Sequence, residues 1–380
     1  MSETGRRTRR APASGTRRLS GARRGPRWLL GLLAMLVLVG MLAEPVRLRA
    51  VAATTVADAL DLPVVRLVAA EVSRERTRLD GVEGDRYDVG PDAQAVVLIP
   101  GAAPRGIEDP RIVQLAEAIA RAGRTVFVPQ LEVYEETLVT TDVDRLVAAT
   151  LALSDEQRGP AVLVGTSFGG SLGMLAAADE RLDGRVALVA SFGAYADLLG
   201  VLQAVTTGHS LVGDRLIAWE DPHPDAEQIV RDQLADLLEP ADRRQLRRLL
   251  DDRLAVADAD GPARAAHALL VNDDPTRTDA LARRLPAEVR QRLAEVSPVS
   301  VADDLDVPVV AMHSVQDPAI PFGELRRLEE AIPHARIITL ERFDHVELDL
   351  QGPRDVLEAL GDLRRTWRFA THVLAAESAG

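Results

Sequence analysis

A serine between two closely spaced glycines is the first residue of this chain that could do chemistry. Ser167 lies in the stretch "GTSFG" from Gly165 to Gly169, which fits the pattern Gly-x-Ser-x-Gly. In this pattern the serine lies on a strained turn between a strand and a helix, and the two flanking positions need minimal side chains. The apolar run "PAVLVGTS" and the helical stretch "GSLGMLAAADE" provide that context. Ser167 is therefore a candidate nucleophile, and a glycine-rich helix start is the alternative interpretation.

A serine nucleophile needs a base, and the base needs a carboxylate that orients it. Asp317 follows the apolar run "PVVAMHS" and His345 follows "ARIITLERF", so each candidate comes just after a predicted strand. The chain order Ser167, Asp317, His345 predicts a catalytic triad that transfers acyl groups. The backbone amide of Phe168, at the start of the predicted helix, would stabilise the oxyanion that forms.

Other residues compete for the roles of acid and base. Asp197 follows the fourth predicted strand and is the alternative acid to Asp317. Among the other histidines, His313 is predicted to be a core residue at a strand end. The remaining histidines lie in a predicted insertion, at the opposite end of the strands or near the C-terminus: His209, His223, His267, His334 and His372.

Strand-like and helix-like apolar runs alternate beyond Arg86, which is typical of a parallel sheet with crossing helices. Six strands are predicted: "AQAVVLIPG", "RTVFVPQ", "PAVLVGTS", "GRVALVASFGAY", "PVVAMHS" and "ARIITLERF". A final helix is predicted from about Pro353 to Ala375. Residues 198–297 show helical segments and no convincing strand. We therefore predict a core of residues 86–197 and 298–380, with residues 198–297 forming a helical cap or lid.

The N-terminal region is sharply divided by charge. Residues 1–27 form a basic tail, and the run "WLLGLLAMLVLVGMLA" from Trp28 to Ala43 carries no charge. This pattern predicts a membrane segment whose arginines stay in the cytoplasm, so the rest of the chain faces outward. Because 16 residues are fewer than the ~20 of a usual spanning helix, a cleaved signal peptide and a secreted protein are the alternative. Residues 44–85 are predicted to be a helical linker region.

Composition excludes several classes of protein. The net charge of −13 argues against binding to nucleic acid, because phosphate neutralisation needs a basic face. The chain has no cysteine, which excludes disulfides, thiolate catalysis and cysteine-bound metals. It also has no lysine, which removes Schiff-base chemistry and the lysine of a phosphate-binding loop. We expect no metal ion, no cofactor and a small acyl compound as substrate.

From about Arg86 to its C-terminus the chain resembles serine hydrolases of the α/β-hydrolase fold, including uncharacterised membrane-anchored members. The motifs that carry the resemblance are "GTSFGG", "HSVQDPAIP" and the late "DH". The resemblance implies a mostly parallel sheet flanked by helices, a helical cap after the strand that follows the nucleophile helix, and ester cleavage through an acyl-enzyme. It also implies that Ala102 in "IPGAAPRG" supplies the second oxyanion amide, although Pro100 stands where the family often has histidine. A catalytically inactive binding or envelope module and an acyltransferase with the same triad are the alternatives.

Overall fold

The computed structural model describes residues 44–59, 71–88, 90, 93–101, 105–135, 140–341 and 353–376. The predicted membrane segment Trp28–Ala43 lies outside these ranges. Within them, no helix is both long enough and apolar enough to span a bilayer. The chain from Leu48 to Gly380 forms one structural unit, distinct from Met1–Arg47.

Eight strands form a central sheet, and two more form a separate hairpin. In chain order the strands are β1 Ser73–Leu79, β2 Val82–Asp88, β3 Gln94–Ile99, β4 Arg124–Pro129, β5 Ala161–Thr166, β6 Val186–Phe192, β7 His209–Val212, β8 Arg215–Ala218, β9 Val309–Ser314 and β10 Arg336–Leu340. The central sheet has the order β1-β2-β4-β3-β5-β6-β9-β10. All its neighbouring pairs are parallel except those that β2 makes with β1 and β4.

Helices cover both faces of this sheet. They are α1 Glu44–Ala59, α2 Pro110–Arg121, α3 Thr140–Gln157, α4 Phe168–Ala177, α5 Leu198–Thr207, α6 Ala226–Asp236, α7 Pro240–Leu250, α8 Gly261–Leu270, α9 Thr278–Ala282, α10 Ala287–Glu295, α11 Gly323–Ala331 and α12 Pro353–Ala375. Successive side chains of a strand point to opposite faces. On β5, Val164 and Thr166 border a cavity shared with α2 and α12. A side chain on Gly165 would instead meet the backbone of α4.

The strand order of the central sheet, with β2 alone antiparallel to its neighbours, confirms the predicted α/β-hydrolase fold class.

The structure differs from the sequence prediction in the region that precedes the core. Residues 44–85 were expected to be a helical linker, but β1 and most of β2 lie there and extend the sheet. The reason is that β1, "SRERTRL", is an exposed edge strand without an apolar face. It is held instead by ion pairs from Arg74 and Arg76 to the buried Asp85 of β2. The residues of β1 alone therefore do not predict a strand, and its pairing with β2 is what shows it.

The inserted residues 198–297 contain α5 to α10, and also the hairpin β7–β8 that the sequence did not predict. Each strand of this hairpin has four residues, which is too short for a periodic pattern to register. Buried leucines of the insertion, such as Leu234 and Leu269, belong to the same apolar core as the central strands. The insertion therefore shares one hydrophobic core with the central sheet.

Candidate active site

Ser167 lies on the sharp turn that joins β5 to α4. Its backbone angles, φ 52° and ψ −131°, belong to a region that residues other than glycine rarely occupy. Such a conformation costs on the order of 1–3 kcal/mol and persists only where its surroundings enforce it. Here the N–H of Ser167 donates to the carbonyl of Phe192 over 2.7 Å, and the carbonyl of Ser167 accepts from the N–H of Gly170 over 2.9 Å. These two bonds hold the backbone of the turn, and with it the direction of the Cα–Cβ bond of Ser167.

Three glycines make this turn sterically possible. A Cβ on Gly165 would collide with the backbone of Gly169 and Gly170, and one on Gly169 would collide with the carbonyl oxygen of Ile99. A Cβ on Gly101 would lie 2.6 Å from the Cβ of Ser167. Because backbone atoms cannot move aside as a flexible side chain can, all three positions require glycine. Sequence reasoning identified the first two and missed Gly101, which the "IPG" at the end of β3 could have indicated.

Of the two residues predicted to supply oxyanion amides, the structure describes Phe168. Phe168 is the first residue of α4, where backbone N–H groups have no acceptor within the helix and the helix dipole favours negative charge. Its ring packs edge-on against Tyr195, with ring centroids 5.4 Å apart. The second predicted position, Ala102, lies outside the described residues, although its neighbour Gly101 lies against Ser167.

Asp317 lies in the loop that follows β9, residues 315–322, here called the acid loop. Its carboxylate is buried, and Oδ1 accepts from the N–H groups of Ala319 and Ile320 over 2.8 and 3.0 Å. The other oxygen, Oδ2, lies 3.4 Å from Nε2 of His313. That nitrogen also lies 3.0 Å from the carbonyl oxygen of Ile320, so it carries a proton and donates. His313 is fully buried, and its contacts with Asp317 and Ile320 help to hold the acid loop in place.

The insertion is fastened to the acid loop by two hydrogen bonds. The indole N–H of Trp219, which is buried, donates to the carbonyl of Asp317 over 2.8 Å. The backbone N–H of His223 donates to the carbonyl of Pro318 over 2.7 Å. No local sequence motif indicates these contacts, because the partners are about a hundred positions apart. Any change in the insertion at this point will act directly on the residue proposed as the acid.

Ser167 and Asp317 follow the carboxyl ends of β5 and β9, which are parallel and separated by β6 alone. At a strand spacing of about 4.8 Å, the two strand ends are about 10 Å apart, which leaves room for an imidazole between them. His345 lies outside the described residues. The strand that precedes His345 in the chain is β10. It is the neighbour of β9 and parallel to it, so the carboxyl ends of the two strands lie on the same side of the sheet.

Asp197, the alternative acid, has a different task in the structure. It is the N-cap of α5, where its carboxylate accepts from the N–H of Leu199 over 3.0 Å and lies 3.4 Å from the hydroxyl of Ser297. Since Ser297 is the last residue of the insertion, Asp197 holds the two ends of the insertion together. Burial raises the pKa of Asp197 above the ordinary value of an aspartate.

A buried glutamate next to Asp197 was not anticipated from the sequence. Glu324, in α11, is fully buried, and its Oε2 accepts from the N–H groups of Ala196 and Asp197 over 3.0 and 2.8 Å. Its Oε1 accepts from Nε of Arg327 over 3.1 Å. Burial raises the pKa of Glu324 to about 7, while Arg327 opposes this effect and the charge of Asp197 adds to it.

Replacing Glu324 with glutamine is expected to remove a pH dependence of stability. The folded-state pKa lies above the ordinary 4.5, so the wild type holds this proton more tightly when folded and becomes less stable as pH rises from 4.5 to about 7. At about 1.4 kcal/mol per tenfold change in proton affinity, this loss is about 3 kcal/mol. Denaturant unfolding of both proteins between pH 4.5 and 8 should show the variant gaining on the wild type by that order. A constant difference across the range would contradict the prediction.

A mostly apolar cavity of about 180 Å³ borders the nucleophile strand on the face opposite α4. Its walls include Thr166, the residue before Ser167, together with Val56 of α1 and Ala370 of α12. Within the described part of the chain, no cluster of three metal-binding side chains is present.

No protein-family model matches this chain, and no curated protein matches it. Solved structures do match it. They include a puromycin hydrolase (16% identity, TM-score 0.47, covering 82% of this chain and 41% of that one), a hormone-sensitive lipase from a metagenome library (14%, 0.45, 80% and 84%) and the acylaminoacyl peptidase of Pyrococcus horikoshii (12%, 0.44, 81% and 41%). The chain spans about 41% of the length of the puromycin hydrolase.

Proposed function

We propose that this chain is a serine hydrolase that cleaves an ester or a related acyl compound. Ser167 attacks the carbonyl carbon, and His345 takes the serine proton and returns it to the leaving group. Asp317 stabilises the imidazolium, and the amides of Ala102 and Phe168 bind the oxyanion. Water then releases the acyl group from Ser167. The observation that carries the proposal is the strained turn at Ser167, because its cost is hard to explain without a use for that side chain.

The geometry around Asp317 adds independent support. The loop that carries this carboxylate is held by two backbone amides, by a buried histidine and by the hydrogen bond from the indole of Trp219. A general base works well only if the group that orients it is itself held in place. An acyltransferase would use the same residues and differ only in the acceptor that reaches the acyl-enzyme. An inactive binding module would gain nothing from so strained a serine.

Labelling of the wild-type protein with a fluorophosphonate probe tests the proposal directly. We expect covalent labelling that maps to Ser167 by peptide mass spectrometry, together with turnover of a p-nitrophenyl ester. Protein unfolded in denaturant should not be labelled, since an unactivated serine does not react. Absence of labelling in the folded protein would favour the inactive module. Labelling of a different serine would refute the assignment.

The cavity beside β5 supports an apolar acyl group as part of the substrate. Filling it by replacing Ala370 with phenylalanine is expected to lower kcat/KM for p-nitrophenyl octanoate by about 15- to 60-fold, because two or three buried methylenes are worth about 0.8 kcal/mol each. Turnover of p-nitrophenyl acetate should stay close to wild type. The matched control is Leu363→Phe on the exposed side of the same helix. Equal losses for both esters would argue against this use of the cavity.

We also propose that the protein is anchored in a membrane. Its N-terminus would lie in the cytoplasm, and the unit Leu48–Gly380, here called the hydrolase unit, would lie outside. The basic tail and the uncharged run Trp28–Ala43 support this topology. Protease added to intact cells should then degrade the hydrolase unit and leave a cytoplasmic marker intact. Release of the unit into the medium would indicate signal cleavage, and protection in intact cells would contradict the orientation.

A further inference from the structure

The outer edge of the central sheet carries a groove between β10 and α12, with a volume of about 710 Å³. Its polar and aromatic lining consists of Arg336, Arg364, Trp367, Arg368, Thr371 and His372, and it is here called the arginine groove. Arg336 opens β10, at the amino end of that strand, whereas Ser167 follows the carboxyl end of the parallel strand β5. A five-residue strand spans about 16 Å, so the groove is distinct from the proposed active site.

The charges in this groove are unusual for the chain. The protein carries a net charge of −13, and many of its arginines pair with carboxylates. On α12 itself, Arg365 lies 2.7 Å from Asp362 and 3.8 Å from Glu341. In contrast, Arg336, Arg364 and Arg368 are exposed, and within the described ranges they form no ion pair. Three uncompensated guanidinium groups thus border one concave surface.

These groups also act on one another. Arg336, Arg368 and His372 line the same groove, and the pKa of His372 is lowered by burial and further by the positive charges of the two arginines. Arg364 and Arg368 are four residues apart on α12, a spacing at which like charges repel each other. A bound anion would relieve this repulsion. The positive charges of the groove therefore favour a ligand that carries more than one negative charge or several acceptor oxygens.

We propose that the arginine groove binds a phosphate group. Planar guanidinium groups donate paired hydrogen bonds that match phosphate oxygens, and this preference distinguishes them from ammonium groups. Thr371 lies at the same surface, but its hydroxyl donates to the carbonyl of Trp367 over 2.8 Å, so the guanidinium groups supply the donors. Trp367 also lines the groove, beside the charged groups. A phosphate group is carried both by soluble phosphate esters and by phospholipid headgroups.

The binding test uses the full-length protein in nonionic detergent, with the fluorescence of Trp367 as the signal. Glycerol 1-phosphate, inorganic phosphate and dihexanoyl phosphatidylglycerol are titrated separately at constant ionic strength set with chloride. We expect a saturable change that is absent in Trp367→Phe. Tight response to either soluble phosphate identifies a soluble ligand, and response to the phosphatidylglycerol alone identifies a headgroup. No response beyond that of chloride would overturn the proposal.

Variants at the arginines decide whether the groove is responsible. Arg364→Gln combined with Arg368→Gln should weaken binding at least tenfold, and Arg336→Gln on the opposite wall should weaken it in the same direction. Arg78→Gln removes one positive charge from an exposed, paired arginine of β1 and should leave binding unchanged. Because Arg336 lies on a different element from the other two, misfolding of one variant leaves the other informative. Unchanged binding in the folded variants would refute the site, whatever the fate of the proposed hydrolase activity.

Discussion

Replacing Ser167 with alanine is expected to reduce kcat for a p-nitrophenyl ester by about 10⁴- to 10⁶-fold and to abolish fluorophosphonate labelling. The reason is that the covalent step has no substitute nucleophile, and only oxyanion stabilisation and substrate binding would remain. The fold should survive, because alanine meets the same backbone strain at φ 52° as serine does. Turnover of the p-nitrophenyl ester measures the change in kcat. Active-site titration measures the fraction of molecules that carry a reactive nucleophile.

The matched control is Ser191→Ala. Ser191 lies on β6, next to the nucleophile strand, and within the described residues its buried hydroxyl has no hydrogen-bond partner. Its removal should leave kcat close to wild type. Retained labelling in the Ser167 variant, or an equal loss of activity in the Ser191 variant, would show that the nucleophile has been misassigned.

The second large effect concerns the acid. Replacing Asp317 with asparagine is expected to lower kcat by about 10³- to 10⁴-fold, since a neutral amide neither stabilises the imidazolium nor selects the correct tautomer of the histidine. The backbone amides of Ala319 and Ile320 can still donate to the oxygen of asparagine, so the acid loop should keep its shape. The amide nitrogen of asparagine would face Nε2–H of His313, which is also a donor, so we expect a modest loss of thermal stability beside the far larger loss of kcat.

Asp197→Asn is the comparison that separates the two candidate acids. Its Oδ1 accepts from Leu199 and Ser297, and asparagine caps helices as well as aspartate does, so we expect a melting temperature close to wild type and kcat within about threefold of wild type. If instead the Asp197 variant loses activity and the Asp317 variant keeps it, the acid must be reassigned to the strand before the insertion.

The elements of the sheet could largely be predicted from the sequence. The six predicted strands all occur, and the last helix spans Pro353–Ala375 as expected. These elements are buried on both faces or along one stripe, so their apolar periodicity is recorded in the residues themselves. The two hairpins were not predicted because their strands are short or polar. Their partners, such as Asp85 for Arg74, supply the stability that the local sequence lacks.

By itself, the sequence determined the fold class and the candidate nucleophile of this protein. The glycines around Ser167 answer a steric requirement that acts within a few residues, so a short motif records it. Only the tertiary structure decided that Asp197 caps a helix, that the indole of Trp219 donates to the acid loop, and that burial raises the pKa of Glu324. These properties arise from burial and from contacts between residues far apart in the chain, and no local pattern encodes them.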